Sequence, residues 1–196
     1  MLDIVGVGDA SVDLIIKVDH LPGHDEKVRG KLLGKYPGGI IANFCCAASK
    51  FGAKTGIVTT VGEDSFGQTA IEGLDEFGVD RGGLVVKKGE STYFGVIYLD
   101  STGEKALVVV ETPILVPSVD DIDIDYLNRS RYVHLTSLDL ELAKFVASSV
   151  NDDVKVSIDI EPTADSSGLS FWEDVLRKLD IVSLNEAGLR ALVQTE

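Results

Sequence analysis

Apolar and polar positions along the chain fall into short runs that predict strands alternating with helices. Leu2 to Val7 is an apolar run ending at Gly8 and reads as a buried strand, and Val12 to Val18 alternates loosely and reads as a second. Ile40 to Phe51 is small and apolar and stops at Gly52, a helix terminator. Thr55 to Val61 is β-rich and ends at Gly62. Phe66, Ala70, Leu74 and Phe77 recur at helical spacing, and Gly78 closes that helix. Thr92 to Leu99 and Ala106 to Val110 are β-branched or aromatic, and the turn sequence Asp100-Ser101-Thr102-Gly103-Glu104-Lys105 between them makes a hairpin.

After Pro117 strands and helices alternate strictly. Tyr132 to Leu135, Val154 to Ile160 and Ile181 to Leu184 read as strands; Glu141 to Ser149, Phe171 to Leu179 and Glu186 to Val193 read as helices. In the helix from Phe171, that residue shares one face with Trp172, Val175, Leu176 and Leu179. Such alternation predicts a mostly parallel sheet covered on both faces, a three-layer α/β/α fold. The segments near 12–36 and 92–111 interrupt it and are expected to pair as a separate small sheet. The chain stops at Glu196, about ten residues into a helix that would be marginal alone, so a C-terminally truncated protein is expected.

Composition narrows the function. The net charge is −14, from 32 acidic and 18 basic residues, and no window supplies the basic face of a nucleic-acid binder. An anionic substrate would need a locally arranged donor site. Cys45 and Cys46 are adjacent, a spacing that suits neither a disulfide nor a zinc site, and they read as small buried hydrophobes on a helix. Free buried thiols, no signal peptide and no run long enough to span a membrane predict a cytoplasmic protein without a membrane partner. His20, His24 and His134 form no cluster in sequence, so no metal is assigned to them.

Several glycine-rich stretches are candidates for chemistry. Gly6-Val7-Gly8 fails as a dinucleotide fingerprint, because Ser11 stands where its last glycine is needed and a strand follows. Asp121, Asp123 and Asp125 resemble the start of a calcium loop, but Tyr126 occupies the turn-glycine position, so they read as a solvated surface run. Pro37-Gly38-Gly39-Ile40-Ile41-Ala42-Asn43 is more informative. Two glycines let backbone approach a ligand, N–H groups lie exposed at a helix start, and Asn43 offers a donor and an acceptor. Gly8-Asp9-Ala10-Ser11-Val12-Asp13 precedes this segment; Phe51-Gly52-Ala53-Lys54-Thr55-Gly56 and Val61-Gly62-Glu63-Asp64-Ser65-Phe66-Gly67 follow it.

As a set these segments resemble the PfkB-type, ribokinase-like family of carbohydrate kinases. The resemblance covers essentially the whole chain, 1–196, as one kinase domain, including Gly103-Glu104 and Asp180-Ile181-Val182-Ser183-Leu184-Asn185-Glu186. It implies a ribokinase-like fold and transfer of the ATP γ-phosphate, with magnesium, to a hydroxyl of a sugar or sugar-like substrate. A nucleoside kinase of the same fold and a non-catalytic sugar-binding paralogue are the alternatives. Asp13 would accept hydrogen bonds from two sugar hydroxyls; Gly38, Gly39, Asn43 and Ser11 would hold the rest of the sugar. Segments 12–36 and 92–111 would form a β lid that closes over it, with Tyr36, Tyr93, Phe94 and Tyr98 as sugar-facing or dimer-facing candidates. Val96, Tyr98 and Ile16 would pack against a second copy in a homodimer.

Three departures shape the expectations. Ile41 and Cys45 replace small or proline residues of the first signature, so the pocket is expected to differ in shape. Asn185 matches the asparagine of the Asn-x-x-Glu motif that orders magnesium and phosphate, but Gly188 stands where its glutamate belongs, and Ser183-x-x-Glu186 reads equally well as a capping box. Asp159, at the end of a parallel strand, is a further candidate on the nucleotide side. The family's Gly-Ala-Gly-Asp segment, which carries the anion hole and the catalytic base, occurs nowhere in these residues. No catalytic residue is therefore assigned, and these 196 residues alone are expected to be inactive.

Overall fold

A computed structural model describes residues 1–161 and 169–193. Its central sheet is built from β1 (Leu2–Val7), β4 (Thr55–Gly62), β5 (Asp80–Lys87), β8 (Ser130–Thr136), β9 (Lys155–Ile160) and β10 (Ile181–Leu184), in the order β10-β9-β8-β1-β4-β5. Every pairing in it is parallel. A second, mixed sheet has the order β3-β2-β6-β7, from β2 (Ser11–Val18), β3 (Gly30–Gly38), β6 (Phe94–Leu99) and β7 (Lys105–Val110). In it β2 runs parallel to β6, and the outer pairs are antiparallel.

The period of two along each central strand feeds two cores. Val5, Val7, Val58, Val133 and Leu135 pack with α3 (Ile124–Leu127), α4 (Leu140–Ser149), α5 (Leu169–Leu176) and α6 (Glu186–Val193), around the buried Trp172. Ile57 and Val61 pack on the other face with α1 (Ile40–Lys50) and α2 (Ser65–Glu76) through Ile41, Cys45, Ala70 and Leu74. This is the three-layer arrangement. Both cysteines are free, Cys45 fully buried and Cys46 half-buried. Burial pushes the Cys45 thiol up to about 12, which suits a packing residue and not a nucleophile. The side chain of Phe171, and residues 194–196, lie outside the described residues.

Two strands differ from the sequence pattern. The edge strand β5, which the sequence pattern does not single out, contains Gly82-Gly83; a side chain there would strike the Tyr126 ring or Val58, both at 2.6 Å. β6 starts at Phe94 rather than Thr92, because the Thr92 N–H donates to Asp64 Oδ2 at 2.9 Å and leaves the ladder. The acidic run is not uniformly solvated. Asp121 is paired with Lys87 at 2.5 Å, and Asp123 caps α3 by accepting from the Tyr126 N–H.

Candidate functional site

The two sheets meet where β1 passes directly into β2, at the carboxyl edge of the central strands where open α/β folds bind ligands. The turn Gly8-Asp9-Ala10 faces the entry to α1. Gly39 caps that helix with φ 102°, in the region that favours glycine, and a Cβ there would lie 2.9 Å from Ala10 Cα and from the Asp9 carbonyl oxygen. The helix entry is thus pressed against the β1–β2 turn, backbone on backbone.

Asp13 lies in β2, half-buried, opposite Tyr36 of β3 and Gly95 of β6. A Cβ on Gly38 would sit 2.7 Å from its Oδ2, and one on Gly95 2.9 Å from its Oδ1. The carboxylate therefore occupies a slot between two glycines, and it makes no hydrogen bond among the described residues. Burial raises its pKa and the Lys105 charge opposes that rise. Ser11 is buried beside it, with Oγ 3.0 Å from the same Gly38 position. Gly38, Gly39, Ser11 and Asp13 are brought together in this way. Asn43 stands one turn into α1 and is exposed.

The helix start corrects one expectation. Its N–H groups are not free: those of Ile40 and Ile41 donate to the Asp9 carboxylate at 2.9 and 3.2 Å, and that of Ala42 to the Asp9 carbonyl at 3.2 Å. Asp9 is 2% exposed; burial raises its pKa, the two N–H groups lower it, and the Asp13 charge raises it further. Asp9 adjoins Gly8 in the sequence and was legible only as part of that segment. Ile41 and Cys45 are both fully buried. Their side chains fill the space left by Gly6 and Gly8, 2.6 Å from the Cβ positions those glycines lack.

Around this slot the charge is mostly negative. Burial raises the Tyr93 hydroxyl pKa, and Asp9, Asp13 and Glu111 raise it further. Along the same edge, burial raises the Glu161 carboxyl with Asp159 and Asp9 adding to it. His134 stacks on Phe44 with ring centroids 3.9 Å apart and meets Ser157 Oγ through Nδ1 at 2.9 Å; burial lowers its pKa and Asp159 opposes that. Thr136, at the end of β8 beside Gly8, keeps a buried hydroxyl without a hydrogen-bond partner among the described residues. Nothing in the strand pattern singled it out. Phe94 is a packing residue, its ring 5.0 Å from that of Phe66.

Asn185 directly follows β10, and Asp159 lies in the neighbouring β9, opposite Ser183. Asn185 Oδ1 accepts the Gly188 N–H at 2.8 Å, so Asn185, and not Ser183, caps α6. A Cβ at Gly188 would lie 2.6 Å from the Ile160 carbonyl oxygen, and Glu186 is paired with Arg190 at 2.6 Å. No group of three potential metal-binding side chains occurs among the described residues.

A parallel α/β/α core with a small mixed sheet at its carboxyl edge is a ribokinase-like arrangement. The chain belongs to the pfkB family of carbohydrate kinases, whose family model matches residues 1–196. It is 25% identical over 196 residues to an ATP-dependent ribose-1-phosphate kinase of Halopiger xanaduensis, covering all of this chain and 66% of that protein. It is 26% identical over 176 residues to fructokinase-1 of Zea mays, covering 81% of this chain and 53% of that one. Among solved structures, Arabidopsis thaliana ribokinase complexed with ribose and ATP superimposes with a TM-score of 0.81 at 26% identity, over 97% of this chain and 62% of that one. The chain thus spans about two-thirds or less of the length of these relatives. Among the described residues no helix is long and apolar enough to cross a membrane.

Proposed function

We propose that this chain is the acceptor-binding part of an ATP-dependent kinase that phosphorylates a hydroxyl of a sugar or sugar-like substrate. The observation that carries the reading is the Asp13 carboxylate, held between Gly38 and Gly95 without a hydrogen-bond partner among the described residues. Two sugar hydroxyls would satisfy it, with Ser11, the Gly38–Gly39 backbone and Asn43 completing the cradle. The second sheet acts as a lid that keeps water from the transferred phosphoryl group. ATP and magnesium supply the phosphoryl group and its charge neutralisation when bound; the residues here position the acceptor. The base and anion hole are assigned to a Gly-Ala-Gly-Asp segment that this sequence does not contain.

A thermal-shift panel of D-ribose, D-fructose and adenosine tests this. A ligand at a hundred times its Kd stabilises by about 2.7 kcal/mol, which is a rise of roughly 5–10 °C at this chain length. One member of the panel should give such a rise, and which one does separates sugar kinase from nucleoside kinase. No shift with any of them contradicts the reading. Sugar-dependent release of ADP from ATP by these 196 residues alone would contradict the assignment of the base elsewhere.

A further inference from the structure

We propose that the acceptor cleft is built for an uncharged sugar or nucleoside and rejects a phosphorylated one, and that Asp9 sets this preference. The inference rests on the kinase reading and goes further by fixing the charge class of the substrate. Where a helix begins at a ligand-binding sheet edge, its free N–H groups are the usual seat for a phosphate. Here α1 begins at that edge, and its own chain has taken the seat. The Ile40 and Ile41 N–H groups are spent on the Asp9 carboxylate, that of Ala42 on the Asp9 carbonyl and that of Asn43 on the Gly39 carbonyl. The occupant is not replaceable by a ligand, since Asp9 is 2% exposed and covalently part of the β1–β2 turn.

A phosphate ester placed in the cleft would meet repulsion instead of donors. The Asp13 charge acts on Asp9, and both act with Glu111 on Tyr93; Asp159 and Asp9 act on Glu161. The cation that acts on Asp13 is Lys105, which is exposed at the start of β7 and hydrated. Uncharged hydroxyls do not suffer this, because each can donate to a carboxylate. Two relatives differ on this point: one is named for ribose 1-phosphate, the other for fructose. The charges of this cleft favour the second kind.

The test is titration calorimetry on the chain with D-ribose, D-fructose and adenosine, each set against ribose 1-phosphate and fructose 6-phosphate. An uncharged compound should bind most tightly, and its phosphate ester at least ~10-fold more weakly, a gap that narrows as salt is raised. Asp9→Asn should move the ratio of the two affinities at least ~3-fold towards the phosphate ester. Because the readout is a ratio, a general loss of folded protein cannot mimic it. If the amide does not fold, Asp9→Ser restores an ordinary helix cap and serves in its place. A phosphate ester that binds as well as or better than the free sugar overturns the proposal. So does a ratio that neither variant moves. Failure of every compound, charged or not, would overturn the kinase reading itself.

Discussion

At the scale of single residues, Gly188 shows how a departure from the family signature is built into packing. The Ile160 carbonyl leaves no room for a side chain there. Gly188→Glu, which restores the family motif on paper, should overpack this contact and destabilise the chain by about 1–3 kcal/mol. That is a fall of several degrees in the melting temperature, and an unchanged value would show that α6 can shift. Asp64 is the opposite case, a residue that the sequence placed in a signature segment and that the structure shows to be a knot. Its carboxylate accepts the Phe66 and Gly67 N–H groups, the Thr92 hydroxyl and the Thr92 N–H, tying α2 to the strand that enters the second sheet. Burial alone would raise its pKa, but these hydrogen bonds outweigh it and the value falls below 3.8. The stability it contributes is therefore complete above pH 3.8 and lost as pH falls through the folded-state value. Asp64→Ala should cost about 1–2 kcal/mol at neutral pH and flatten the acid limb of the stability profile. A parallel acid limb in the variant would contradict that assignment.

At the scale of elements, β6 brings Gly95 against Asp13, and this one contact joins the second sheet to the site. Gly95→Val suits a strand in propensity, but its Cβ would lie 2.9 Å from Asp13 Oδ1 and displace the carboxylate. Sugar binding should fall by at least ~10-fold, with the melting temperature changed far less than by Gly188→Glu. Unimpaired binding would show that the slot is not needed. Elements whose burial follows a simple period were legible in the sequence. Val5 and Val7 against Gly6 and Gly8 already announce which side of β1 packs closely on α1. Those not legible depend on partners far along the chain. Gly82-Gly83 gives β5 no side-chain pattern to read until Tyr126 and Val58 are seen to occupy the space, and Thr92 reads as a strand residue until Asp64 captures it. The site divides similarly. Asp13, Gly38 and Gly39 stood out through their glycine-rich spacing, whereas Asp9 and Thr136 acquire meaning only from α1 and from the end of β8.

At the scale of the whole molecule, the second sheet exposes apolar residues on both faces. Cross-strand register puts Asp13, Gly95 and Val109 in one row, with Ile97 and Leu107 on the same side; Leu14, Val96 and Val108 lie on the opposite side with Ile16 and Tyr98. The side away from Asp13 is the one proposed to meet a second copy, since water is a poor neighbour for such a sheet. Light scattering at micromolar concentration should report a dimer, and Val108→Asp, at a residue 52% exposed, should report a monomer. A monomeric parent chain would end the dimer proposal without touching the site. The account as a whole stands on Asp13 as the acceptor anchor. It is tested most directly by calorimetric titration of the chain and of Asp13→Ala with the uncharged sugar or nucleoside that binds. Loss of a charged acceptor for two hydroxyls should weaken binding by about 2–4 kcal/mol, roughly 30- to 1000-fold. Equal affinity in the two proteins would contradict the account.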